Sequence, residues 1–283
     1  MIKLKNVTKK YGKTTAINQL SLTIPHSGIY CLLGRNGAGK TTLMKLLAGH
    51  IPATQGRITV NGEPVSPGKM PEDIQYIETG TGQFNMRVSG LVDTAAKLQT
   101  DFDRDFAREM ITRFELDPRK RFEKLSLGMK TMLTTILALA NQSRMVLLDE
   151  PTLGFDAVMR HQFNTLLLES YQANPRVIIV STHLIDEIAK VTERLIIIDK
   201  GRLLLEASMD DIDEKAYTIT GPANDVLPLA ARLGCIGKTT AGSIVAAHIY
   251  DETIPGLPNG VSLDRMGLQD FFIHIAGGNR HEQ

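Results

Sequence analysis

An α/β fold is predicted from three observations. Short apolar runs at residues 29–33, 145–148 and 177–180 read as buried strands, and polar residues follow each of them. A glycine-rich stretch, Gly34-Arg35-Asn36-Gly37-Ala38-Gly39-Lys40-Thr41-Thr42, follows the first run and opens a helical segment. Between about residues 86 and 140, Leu91, Ala95, Leu98, Phe102, Phe106, Met110 and Phe114 recur every three or four positions, which predicts a helical lobe.

Taken in order, residues 1–28 read as short strands, with turns at Gly12 and at Pro25-His26-Ser27-Gly28. Tyr11 opens the stretch YGKTTAINQLSLTI, where its ring either stacks on a purine base or packs in the core. The glycine-rich stretch has the spacing G-x-x-x-x-G-K-T. Gly34 and Gly39 let the backbone curl so that successive N–H groups point inward, and Lys40 adds a positive charge for the outer phosphates of a nucleotide. Thr41 offers a hydroxyl to Mg²⁺, and the following helix aims its positive end at the anion. Arg57-Ile58-Thr59-Val60 before Asn61-Gly62 reads as a hairpin strand.

Leu125-Ser126-Leu127-Gly128-Met129-Lys130 stands at the mouth of an apolar helix spanning 131–140. Ser126 suits the N-cap of that helix, and the same hydroxyl with the Gly128 N–H also makes an anion site at a helix N-terminus. Residues 145–150, Met-Val-Leu-Leu-Asp-Glu, form a strand ending in two adjacent carboxylates, at the sheet edge where ligands of open α/β folds sit. Asp149 there would hold Mg²⁺, and Glu150 would orient or deprotonate a water attacking a phosphate. His183 ends the next apolar run, placed to sense a γ-phosphate.

Order and spacing now point to a family. Tyr11, the glycine-rich loop, LSLGMK, MVLLDEP, the loop Thr152-Leu153-Gly154-Phe155-Asp156 and His183 together resemble the ATP-binding subunits of ABC transporters, over residues 1 to about 205. The resemblance implies a nucleotide core with an antiparallel β subdomain, a helical lobe at about 86–140, and two cassettes sandwiching two ATP molecules. It also implies that Gly34, Asn36, Gly37, Ala38, Gly39, Lys40, Thr41 and Thr42 hold phosphates and magnesium, that Glu150 is the catalytic carboxylate, and that His183 is the switch. Ser126 and Gly128 would complete the site of the opposite subunit, and Asp156 would couple the two sites. Two departures stand out. The usual LSGGQ has Leu127 at its third place and Met129 at its fifth. Glu78 and Thr79 occupy the expected place of the glutamine loop, with Gln83 a few residues late. LSxGMK variants resemble the branch that powers exporters whose membrane part is a separate chain.

Composition agrees with a separate subunit. With 42% hydrophobic residues in 283, the chain carries ample core material, yet its apolar runs are about six residues, against the roughly 20 that span a bilayer. Any membrane role must therefore be borrowed from another polypeptide, and the resemblance implies that this partner is a polytopic membrane permease, met beside a second cassette of the same kind on the cytoplasmic face of the membrane. The opening residues lack the regions of a secretory leader, and two separated cysteines, Cys31 and Cys235, fit a reducing cytoplasm. A net charge of +1 gives no electrostatic case for nucleic acid.

After residue 205 the resemblance fades. Strand-like 216–220, helix-like 225–233, a strand at 243–250, a Pro255/Gly256/Pro258/Gly260 loop and an amphipathic segment 268–275 suggest a small α+β appendage, for regulation, dimer support or plain packing. His274 and His281 are too sparse for a metal site.

Overall fold

In the computed structural model the described residues are 1–65, 73–80, 84–254 and 256–277; Gln83, Pro255 and His281 lie outside them. In chain order the elements are β1 (Ile2–Tyr11), β2 (Thr14–Ile24), β3 (Gly28–Leu33), α1 (Lys40–Leu47), β4 (Gln55–Val60), β5 (Glu63–Pro64) and β6 (Ile74–Glu78). The helical lobe follows with α2 (Val88–Leu98), α3 (Arg104–Arg113) and α4 (Leu127–Ala140). Next come β7 (Met145–Asp149), α5 (Ala157–Ala173), β8 (Val177–Ser181), α6 (Ile185–Ile188), β9 (Arg194–Asp199) and β10 (Arg202–Ser208). The C-terminal part adds α7 (Met209–Lys215), β11 (Ala216–Pro222), α8 (Ala223–Arg232), β12 (Gly237–Ala241), β13 (Ile244–Tyr250), β14 (Ser262–Arg265) and α9 (Leu268–Gly277).

These strands form three sheets among the described residues. The central one has the order β10-β9-β3-β8-β7-β6, with β9, β3, β8, β7 and β6 parallel and β10 antiparallel at the edge. Its apolar runs are continuous because both faces are covered. Along β3, Ile29, Cys31 and Leu33 join the helices of one layer, while Tyr30 and Leu32 join α1 and the antiparallel sheet β2-β1-β4-β5 on the other. Alternation with period two thus survives inside an all-apolar strand. Burial pushes the Cys31 thiol pKa up, with the Glu150 charge as the next cause, so Cys31 serves as a small apolar filler.

Register decides what reaches the functional edge. Glu78 is paired with Asp149, and Asp149 with Ser181, so the last residues of β6, β7 and β8 stand abreast at the carboxyl end of the sheet.

The helical lobe departs from the predicted stripe at one point. Leu98, one of the recurring apolar positions and the last residue of α2, is 79% exposed. The chain turns extended at Gln99, and Asp103 restarts it by accepting a hydrogen bond from the Phe106 N–H at 2.8 Å. The periodicity therefore spans two helices with a break in phase. Leu98 instead rims an apolar groove with Gln75, Ile77, Phe84, Met86, Leu91 and Leu137.

In the C-terminal part, the sheet β12-β13-β11-β14 carries a small core of its own, in which Ile219, Val226, Val245, Ala247 and Ile249 are buried. α9 reaches back toward the nucleotide core: Phe271 is fully buried in the main cluster, and the helix packs on α6 and β9.

Candidate functional site

The loop between β3 and α1 is shaped by glycine. Gly39 has φ +108°, and a Cβ there would stand 2.6 Å from the Ala16 carbonyl, so only glycine brings the loop this close to β2. Lys40, the first residue of α1, is buried and donates from Nζ to the Gly34 carbonyl at 2.8 Å, which arches its chain back over the loop. A cavity of about 350 Å³ opens here, lined by Ala16, residues 35–42, Asp149 and Glu150. Residues 35–42 of the phosphate loop and both carboxylates, predicted from separate parts of the sequence, therefore meet in one space, while Gly34, whose carbonyl accepts from Lys40, is outside the lining. Backbone N–H groups, a helix N-terminus and an ammonium form one wall, and two carboxylates form the other, as a magnesium–nucleotide complex requires.

Asp149 is buried and held from two sides. The Ser181 hydroxyl donates to its Oδ1, and the Tyr76 hydroxyl donates to its Oδ2 at 3.4 Å. Burial, then the Asp149 and Glu78 charges, push the Tyr76 pKa up, so the phenol stays protonated and able to donate. Glu150 is more open. Its Oε1 is 4.0 Å from Lys40 Nζ, and its Oε2 is 2.8 Å from His183 Nδ1. Glu150 thus lies between the cation of the phosphate loop and the imidazole at the end of β8. Lys45, one turn into α1, pairs with Glu78 at 2.9 Å and ties that helix to β6.

Ser126, Gly128 and Asp156 lie outside the cavity lining. Ser126 caps α4 by accepting from the Met129 N–H at 3.2 Å, and Asp156 caps α5 by accepting from the Met159 N–H at 2.8 Å. The two capped ends touch through Gly128, where a Cβ would stand 2.9 Å from the Gly154 carbonyl. Leu127, at the altered third place of LSLGM, is exposed. Tyr11 is also outside the cavity lining; its ring is half-exposed, with Lys9 Nζ 5.0 Å from the centroid.

Sequence reasoning missed Tyr76, Thr79 and Ser181. Each is an ordinary residue brought to the carboxylates by strand pairing: Ser181 ends β8, Thr79 follows β6 at the expected place of the glutamine loop, and Tyr76 stands in the middle of β6. Arg35 and Ala16 also line the cavity.

A phosphate loop facing an Asp-Glu pair across parallel strand ends defines a nucleoside-triphosphate-binding cassette. A family model described as ABC transporter matches residues 17–153. The chain is 30% identical over 234 residues to the ABC transporter ATP-binding protein YtrB of Bacillus subtilis, covering 82% of this chain and 80% of that one. It is 30% identical over 302 residues to the Nod factor export ATP-binding protein I of Burkholderia orbicola, covering 98% and 97%. Among solved structures, the ATP-binding subunit of an ABC transporter superposes with a TM-score of 0.68 at 22% identity, over 76% of this chain and 92% of that one, a likeness of fold. The chain belongs to the ATP-binding proteins of ABC transporters, the family whose cassettes hydrolyse ATP to power transport.

Proposed function

We propose that this chain is the motor of an exporter whose membrane-spanning part is a separate polytopic permease, and that two copies close around ATP at the cytoplasmic face of the membrane. The observation that carries this is the 350 Å³ cavity in which Lys40, the glycine loop, Asp149 and Glu150 converge, with His183 on Glu150. Export is favoured by the relative named for it, the Nod factor export protein above, and transport also by a lantibiotic transport ATP-binding protein of Streptococcus pyogenes, 30% identical over 217 residues.

In this reading Lys40 and the loop N–H groups hold the β- and γ-phosphates, and Glu150 takes or orients the proton of the attacking water. His183, 2.8 Å from Glu150, fixes the carboxylate and meets the γ-phosphate. Thr41 and Asp149 supply a hydroxyl and a carboxylate on one cavity, the oxygen donors that Mg²⁺ prefers, and they would hold that ion. Bound there, Mg²⁺ would neutralise phosphate charge. Ser126 and Gly128 would face the γ-phosphate of the opposite subunit, with Asp156 at the seam and Tyr11 against the base. ATP bridging two subunits stabilises only the closed state, so binding closes the dimer and hydrolysis reopens it.

The permease would dock in the apolar groove rimmed by Ile77, Phe84, Met86 and Leu98. Among the described residues no helix is long and apolar enough to cross a membrane, so that partner would supply the span. Residues 1–205 act as the cassette, and 206–283 as an accessory extension. Purification from detergent-solubilised membranes tests the assignment. A polytopic membrane protein should accompany the chain, and Leu98→Asp should release it; recovery with ribosomes or nucleic acid alone would contradict the assignment.

A further inference from the structure

We propose that Thr79 is a positioning residue for hydrolysis, holding the backbone of Glu150 in the one conformation that aims its carboxylate at the phosphate loop. Thr79's role rests on Glu150 being the catalytic carboxylate.

Glu150 has φ +51°, a left-handed conformation that costs a non-glycine residue about 1–2 kcal/mol. It also precedes Pro151, whose ring disfavours compact backbone at the preceding position. Such a residue persists only where its surroundings over-determine it. On the amino side, the Glu150 N–H donates to both the carbonyl and the hydroxyl of Ser181, each at 3.1 Å. On the carboxyl side, the Thr79 hydroxyl donates to the Glu150 carbonyl at 2.8 Å, alongside the Leu153 N–H at 3.2 Å. The Thr79 N–H donates to the Asp149 carbonyl at 3.2 Å and extends the β6–β7 ladder by one step.

Glu150 is thus gripped by strands on both flanks, β8 through Ser181 and β6 through Thr79. The leucine contact belongs to the same turn as Glu150 and moves with it. The threonine contact comes from a different strand and fixes the turn relative to the sheet. Without it the peptide after Glu150 can rotate, and the carboxylate loses its alignment between Lys40 and His183. A misplacement of about 1 Å at a reacting group costs up to a hundredfold in rate.

The test is ATP hydrolysis by the full chain in four forms, with nucleotide binding and thermal midpoint measured on each. Thr79→Val keeps the shape and removes the donor: kcat should fall about ten- to hundredfold, with KM for ATP within about twofold. Thr79→Ser, which restores the hydroxyl, should recover most of the rate. A Thr79→Val rate within twofold of the parent, equal changes in kcat and KM, or a serine variant as slow as the valine one would each overturn the proposal. Should valine unfold the chain, Thr79→Ala provides the same comparison with serine. Glu150→Gln distinguishes the two levels: it should abolish hydrolysis and keep binding, and if it hydrolyses normally the assignment of Glu150 fails rather than that of Thr79.

Discussion

Two cavities of nearly equal size teach different lessons. One, about 350 Å³, lies at the carboxyl edge of the central sheet; the other, about 340 Å³, lies between β12 and α9 and is lined by Cys235, Ile236, Gly237, Lys238, Ile273, His274 and Gly277. In the first, a cation and a run of loop residues from the β3–α1 turn and the start of α1 meet two carboxylates at the end of β7, where Asp149 is held in register between Glu78 and Ser181. In the second, the polar groups are scattered, and its most ordered feature is packing: His274 stacks on His248 with ring centroids 3.7 Å apart. Volume alone does not make a nucleotide site; complementary charges fixed by independent strands do.

The sharpest way to break this contrast is to remove one charge from each cavity. Lys40→Ala should lower hydrolysis by about a thousandfold and weaken ATP binding, while Lys238→Ala should leave both within about twofold, read by phosphate release and nucleotide titration. Equal effects would erase the distinction.

A second prediction concerns the frame behind the first cavity. Buried Arg176, just before β8, donates to the Leu139 and Asn141 carbonyls at 2.8 and 3.0 Å and to the Ser170 hydroxyl at 2.7 Å, tying the end of α4 to α5. Burial lowers its pKa to about 10, still cationic at neutral pH. Arg176→Met should strand these acceptors and cost about 2–4 kcal/mol, measured as a shift in denaturant midpoint.

The smallest effect belongs to the second cavity. Burial lowers the pKa of His248 and of His274; for His248 the His274 charge adds to this, and Asp270 opposes it at both. The neutral forms are therefore favoured in the folded state. As pH falls below the ordinary histidine value near 6.5, the unfolded chain takes up protons first and stability declines, levelling off below the folded values. A thermal scan from about pH 7.5 to 5 should show a fall of a few degrees that the His248→Gln/His274→Gln pair flattens.

Sequence legibility follows the same divide. The glycine loop, the Asp149-Glu150 pair and His183 were readable because each is local, a polar group following an apolar run; the sheet then gathers the first two around one cavity and sets His183 against Glu150. The contacts of Ser181 and Tyr76 were not readable, and Thr79 was marked only by standing in the place of the glutamine loop, because the β6–β7–β8 register is what brings all three to the carboxylates. Leu98 is helical as its apolar period predicts, but the period runs through two helices with a break between them and does not show that Leu98 is exposed. In the C-terminal part, β11, α8, β13 and α9 followed their apolar patterns, whereas exposed β12 and β14 and the acidic α7 carry little periodic signal.

The most direct test of the central claim is sedimentation of Glu150→Gln with and without Mg-ATP. Blocking hydrolysis should trap the closed state, so an ATP-dependent dimer is the predicted result, and Ser126→Arg should abolish it. A monomer that still binds ATP would contradict closure by two copies of this chain.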